Sequence, residues 1–164
     1  MEGFCMSTAL TLRRYDPGDA DDVWTVHERA MRAAPIEFVD DAPGDRPLRR
    51  IPDHYLEAGG EFLVGLADDA VVAIGGFQRE DPVTCQLRHL RVDPIYQRQG
   101  YGTRLLSELE SRARADGIHE AVLWTNERLR AARRLYETNG YEETTRETHP
   151  DSGQVFVRYR KPLE

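Results

Sequence analysis

The period of the apolar positions changes along the chain, and the changes mark out its elements. Leu10 to Arg14 is a short strand candidate, closed by the turn residues Asp16-Pro17-Gly18-Asp19. From Ala20 to Ala34 the residues Val23, Val26, Ala30 and Met31 recur at helical spacing. Aspartates suit the start of that helix, and Pro35 ends it. Between Ile36 and Gly60 the pattern weakens. Pro43, Pro47 and Pro52, with the acidic Asp40, Asp41 and Asp45, mark a loop region carrying a short helix near Asp53 to Ala58.

Beyond Gly60 the period becomes two. Phe62, Val64 and Leu66 alternate, Asp68-Asp69 turns the chain, and Ala70 to Gln78 returns as the second arm of a hairpin. A third antiparallel strand, Thr84 to Val92, comes after the Asp81-Pro82 break. After a loop from Ile95 to Tyr101, the segment Thr103 to Ala115 places Leu105, Leu106, Leu109 and Ala113 on one helical face. Gly117 caps it, and Glu120 to Thr125 is a new strand. A strand-helix-strand unit of this length implies a parallel pair with a right-handed crossover. A further helix, Leu129 to Asn139, stops at Gly140. Tyr141 to Arg146 and Gln154 to Arg160 then form a hairpin around His149-Pro150-Asp151-Ser152-Gly153. With no repeat and no linker, residues 1–164 are expected to form a single α/β domain. Its mixed sheet is mostly antiparallel, with helices on both faces.

Composition narrows the function only slightly. The hydrophobic share of 40% is ordinary for a globular chain. No apolar run reaches the roughly 18 residues of a membrane span, and the N-terminus lacks a secretion pattern, so a cytoplasmic protein with no membrane association is expected. Cys5 and Cys85 are too few for a disulfide framework and lack metal spacing. A formal charge of -7 argues against a nucleic-acid partner. It either favours a cationic substrate or keeps the surface solvated. Of the 22 basic residues only Lys161 is a lysine, a bias that fits a GC-rich genome or a salty cytoplasm.

Candidate chemistry lies at Gln97-Arg98-Gln99-Gly100-Tyr101-Gly102, between a strand end and a helix start. A helix N-terminus offers unpaired N–H groups and partial positive charge, which suits a phosphate or pyrophosphate. Gly100 and Gly102 let backbone approach the anion, and Arg98 adds charge. No Gly-Lys-Ser/Thr follows and a third glycine is missing, so the segment is neither a P-loop nor a dinucleotide fingerprint. A ligand-free strand-to-helix turn would have the same sequence.

The segment Leu87-Arg88-His89-Leu90-Arg91-Val92-Asp93-Pro94, followed by Gln97-x-x-Gly100-x-Gly102, resembles the central signature of the GNAT superfamily of N-acetyltransferases. Leu135-Tyr136-Glu137-x-x-Gly140-Tyr141 and the closing Lys161-Pro162-Leu163 resemble its later hallmarks, and the set covers residues 60–164 in order. The resemblance implies acetyl-CoA as cosubstrate and an amine, small molecule or peptide, as acceptor. It implies that the Thr84–Val92 and Glu120–Thr125 strands splay, with the pantetheine arm between them on the Leu90, Arg91 and Val92 segment. The pyrophosphate would sit on Gln97, Arg98, Gln99, Gly100, Tyr101, Gly102 and Thr103. Tyr136 occupies the place of the acid that protonates the leaving thiolate.

Two departures from the family pattern stand out. Gln86 occupies the place of a glutamate base, leaving His89, Glu80, Asp81 or a water relay open. Leu129 occupies the place of a cofactor-holding asparagine, so Asn126 is either its substitute or a helix cap. His27, His54, His119 and His149 give no metal spacing, and no metal is expected. Glu37, Asp40, Asp41 and Asp45 either attract a cationic acceptor or form a solvated loop. Tyr96, Tyr141 and Phe156 either line an aromatic wall or pack in the core. An acyl-CoA-binding sensor and a nucleotide-binding protein are the competing functions, and a homodimer fits the family.

Overall fold

The computed structural model describes residues 9–40 and 42–163; Cys5 and Asp41 lie outside them. Chain order is β1 (Thr11–Arg14), α1 (Ala20–Arg32), β2 (Glu61–Ala67), β3 (Ala70–Asp81), β4 (Thr84–Val92), α2 (Tyr101–Ala115), β5 (Glu120–Asn126), α3 (Arg130–Thr138), β6 (Glu142–Thr148) and β7 (Val155–Pro162). The strands form one seven-stranded sheet in the order β1-β2-β3-β4-β5-β7-β6. The β4–β5 pair is parallel and every other pair is antiparallel. The anticipated mixed sheet is therefore present, with strand bounds within a few residues of those read from the sequence.

Two cores flank the sheet. On one side Leu105, Leu106, Leu109 and Ala113 of α2 pack on Leu63, Phe77, Cys85 and Leu87. On the other, Val23 and Val26 of α1 pack with Tyr55, Phe62, Val64 and Ile74. Strand β2 is buried along both faces, so the alternation seen at Phe62, Val64 and Leu66 is one face of a covered strand. The Asp68-Asp69 turn has φ of 51° and 64°, the left-handed geometry of a tight hairpin turn.

The stretch between α1 and β2 is more ordered than its prolines imply. A 3₁₀ helix, Pro43–Arg49, precedes a π-helical turn at Pro52–Leu56. Leu48, Ile51 and Tyr55 bury themselves in the α1-side core and anchor the segment.

Strand β4 is irregular along both of its edges. Its pairing with β5 covers only Thr84↔Glu120, Cys85↔Ala121 and Gln86↔Val122, after which the strands part. On its other edge Ile74 faces Arg91 and Gly76 faces Arg88, so Gly75 alone opposes His89 and Leu90. This is a β-bulge, and His89 takes φ of 60° within it.

Candidate active site

Where β4 and β5 part, a cleft of about 960 Å³ opens. Leu90, Arg91 and Val92 of β4 line it, with Gln97, Arg98, Gly100, Tyr101, Gly102 and Thr103 at the α2 end and Tyr136 from α3. Ala30 and Met31 at the C-terminal end of α1, with Ala33, Ala34 and Pro35 just beyond it, form another wall. Strand, loop and helix start thus converge with the tyrosine on one cleft. Gln99 and Asn126 are not among its lining residues.

The loop end is made of backbone. Helix α2 starts without any side-chain cap, and Gly100 before it sits at φ of 81°. First-turn amides of an uncapped helix point out of its end and favour an anion. Arg98 holds φ of 67°, uncommon for a residue with a Cβ. A Cβ on Gly102 would lie 3.3 Å from Leu135 Cδ2, so α2 and α3 approach closely at the cleft wall.

Along β4 the carbonyls facing the gap have lost a strand partner and use side chains instead. Leu90 O accepts from Arg91 Nη1 at 3.0 Å, and Val92 O accepts from Gln97 Nε2 at 3.0 Å. A carbonyl oxygen accepts twice, so both can also take an extended amide chain in the gap. Uncapped helix, open strand edge and narrow glycine wall together fit a phosphate-bearing, pantetheine-like molecule.

Tyr136 lies at 6% exposure between the rings of Tyr141 and Tyr159, at 5.9 and 6.1 Å. Burial raises its pKa above the phenol range, partly offset by the charge of Arg91. Its hydroxyl stays protonated at neutral pH and is able to donate.

Behind the bulge is a cluster that sequence spacing did not reveal. His89 Nε2 lies 3.1 Å from Asp45 Oδ1, and Tyr55 Oη lies 2.8 Å from His89 Nδ1. An ionised carboxylate only accepts, so Nε2 carries the proton and Nδ1 accepts from the tyrosine. Burial drives the His89 pKa down to about 4, outweighing the hydrogen bond to Asp45 and reinforced by Arg91 and Arg88. Both ring nitrogens are engaged and the ring is neutral. His27 Nε2 lies 3.2 Å from Asp45 Oδ2 without hydrogen-bond alignment, and neither of its ring nitrogens is hydrogen-bonded. Arg88 also donates to Gly44 O at 3.0 Å, so the Pro43–Arg49 helix is strapped to β4 through Gly44 and Asp45.

The other candidates, Tyr96 apart, separate from the cleft. Gln86 sits in the paired stretch of β4, and Glu80 and Asp81 are exposed at the far end of β3. Asn126 Oδ1 accepts from Arg128 N at 2.9 Å, while its buried Nδ2 has no partner. Tyr141 is a core residue whose hydroxyl donates to Glu110 at 2.8 Å, and Phe156 packs against His149. Tyr96 stacks on Tyr101 and lines the cleft. Glu37 and Asp40 are exposed while Asp45 faces the histidines, so these three form no single acidic patch. No helix among the described residues is long and apolar enough to cross a membrane.

The model of the acetyltransferase (GNAT) family matches residues 23–141. The N-alpha-acetyltransferase RimI of Mycobacterium tuberculosis is 34% identical over 122 residues, covering 69% of this chain and 72% of that protein. The N-acetyltransferase 8 of Homo sapiens is 33% identical over 100 residues; these are 57% of this chain and 44% of that protein, so the match spans under half of that relative. Among solved structures, an acetyltransferase of the GNAT family from Staphylococcus aureus superposes with a TM-score of 0.83 at 20% identity, covering 95% of this chain and all of that one (100%). The Salmonella typhimurium protein yncA, solved with its cofactor acetyl-CoA, gives 0.78 at 21% identity, covering 96% of this chain and 95% of that one.

Proposed function

The chain belongs to the acetyltransferase (GNAT) family, whose cosubstrate is acetyl-CoA, and from that premise we propose that it acetylates a primary amine by direct attack in the β4–β5 cleft. The observation that carries the reading is the continuity of one cleft from the uncapped start of α2, along the unpaired edge of β4, to the buried phenol of Tyr136. Acetyl-CoA supplies a thioester whose carbonyl must be polarised and whose thiolate must be protonated on leaving.

The amides of Gln97 to Thr103 hold phosphate, and Gly100 and Gly102 keep that approach clear. The Leu90 and Val92 backbone orients the extended arm, and an N–H of this segment polarises the carbonyl. Tyr136 donates the proton to sulfur; a phenol of raised pKa releases it only as comparable basicity develops on the acceptor atom. Neither Gln86, an amide, nor His89, with both nitrogens engaged, serves as a base, so the amine proton leaves through water in the open cleft.

Release of free thiol from acetyl-CoA, assayed across pooled amines, tests this reading. Turnover is expected with at least one pool. Tyr136→Phe is expected to lower kcat by about 10³-fold, within the range of a lost general acid, while acetyl-CoA affinity changes little. Unchanged turnover removes Tyr136 from the mechanism. Acetyl-CoA binding without release from any pool favours an acyl-CoA sensor instead.

A further inference from the structure

Leu90 and Val92 pack toward the α2-side core, so strand alternation sends the intervening Arg91 side chain to the α1 side of β4. It lines the cleft there, and the groups acting on its charge are Tyr136, Asp45, Tyr55 and Arg88. Arg91 is thus at the Tyr136 end, where the acyl group reacts, and not at the α2 helix start.

The guanidinium is conspicuously under-used. It makes one hydrogen bond among the described residues, to the carbonyl of its own neighbour Leu90. Its Nε is sealed from solvent and has no partner. Asp45, the carboxylate among its electrostatic neighbours, is already engaged by His89 and lies beside His27. Arg91 is partly buried with one nitrogen sealed from water and no partner, which is costly, and a guanidinium offers five N–H donors in a planar fork. Arg133, another cleft arginine, is by contrast bonded to Tyr159 Oη at 3.0 Å and Glu127 O at 3.2 Å. The cleft also carries Arg98, Arg128 and Arg130 against the single carboxylate of Glu127, so its local field opposes the net charge of the chain. A polycationic amine is disfavoured beside Arg91.

We propose that Arg91 binds a carboxylate of the acceptor, so that the amine acetylated belongs to a molecule carrying a carboxylate a few bonds from its amino group. The inference rests on the cleft being the site of acetyl transfer. A free α-amino acid supplies such a carboxylate directly; a peptide supplies it from an acidic second residue.

The test compares kcat/KM by thiol release for α-amino acids against their α-amides. A second comparison uses dipeptide amides with aspartate against those with asparagine at the second position. The carboxylate form is expected to be favoured by about 30-fold in one of these pairs, the scale of a charge-assisted bidentate contact. Arg91→Gln is expected to abolish that preference, and Arg91→Lys to restore part of it as a point charge without the fork. A readout independent of turnover is calorimetric titration of CoA-loaded protein with N-acetylated forms of the same acids and amides. The acids are expected to bind about tenfold tighter, in the wild type but not in Arg91→Gln.

Equal use of acids and amides, or an Arg91→Gln effect confined to acetyl-CoA, overturns the assignment while leaving the acetyltransferase intact. Absence of release with every amine refutes the proposed function. The titration then decides Arg91 alone: a carboxylate preference lost in Arg91→Gln upholds it, and no preference overturns it.

Discussion

The two ends of the cleft are made of different material. At the α2 end the working groups are backbone: an uncapped helix start, a glycine at positive φ and a second glycine against Leu135. At the opposite end they are side chains drawn from distant segments, with Asp45 of the strap, His27 of α1, Tyr55 of the π-helical turn and His89 of β4 packed together and Arg91 of β4 within reach of their charges. A backbone site tolerates exchange of the side chains around it and fails when bulk enters. A side-chain site fails when one charge or proton changes. On the proposed function the first end takes the part common to every acyl-CoA, and the second faces the acceptor.

Acid should therefore act on the second end first. His89 titrates at about 4 in the folded protein against about 6.5 when free. A histidine with a depressed folded pKa leaves the unfolded chain binding the proton first, so stability falls as pH drops from about 6.5 to about 4. Asp45 adds to this below about 4: burial alone would raise its pKa, but the hydrogen bond from His89 and the His27 ring beside it hold it well under the carboxylate range. The expected loss attributable to His89 is about 3 kcal/mol between pH 7 and pH 4, read from denaturant midpoints at the two pH values. His89→Asn keeps a residue that accepts a φ of 60° and should flatten this slope. An unchanged slope in that variant would place the acid sensitivity elsewhere and erase the contrast.

Sequence made the first end legible because backbone function leaves its mark in composition. Gly100 and Gly102 at a strand-to-helix junction announce a close approach, and Leu105, Leu106 and Leu109 announce the helix beyond them. The second end left no such mark. Pro43 and Pro47 suggested a loop, whereas the stretch is a 3₁₀ helix anchored by Leu48. His27, Asp45 and His89 meet only because α1 and the strap close over the bulge, and a bulge has no fixed sequence signature. The orphaned Nε of Arg91 depends on the parting of β4 and β5, a tertiary outcome that residue type does not encode. Asn126 was ambiguous for a related reason, since a cap and a ligand hold use the same amide; its Oδ1 accepts from Arg128 N in a local turn, while α3 starts after Leu129 without a side-chain cap.

Adding bulk at the first end gives the next largest effect. In Gly102→Val the branched side chain has to share space with Leu135, 3.3 Å from the new Cβ, and fills the narrow wall between α2 and α3. KM for acetyl-CoA should rise by about 30-fold, the middle of the range for overpacking, with the acceptor KM nearly unchanged. Gly102→Ala, which adds only the Cβ, should fall between the variant and the wild type. A rise of less than threefold in Gly102→Val would mean that the cosubstrate does not pass this wall.

The smallest effect should come from removing the one full charge in the loop. Arg98 makes no ion pair among the described residues and is exposed, so its Coulomb attraction to a phosphate is screened by water and salt. Its backbone meanwhile sits at φ of 67°, which a residue with a Cβ adopts at a cost of about 1 kcal/mol and glycine adopts freely. Arg98→Gly therefore removes a weak attraction and a local strain at once. KM for acetyl-CoA should rise only about threefold at low ionic strength, with the difference shrinking toward nothing as salt is added. The melting temperature should hold or increase slightly, because relief of the strain is countered by the extra freedom of glycine in the unfolded chain. A salt-independent loss of tenfold or more would show the guanidinium in direct, desolvated contact with phosphate. The α2 end would then depend on a side chain as much as the Arg91 end does, and the distinction between the two would fail.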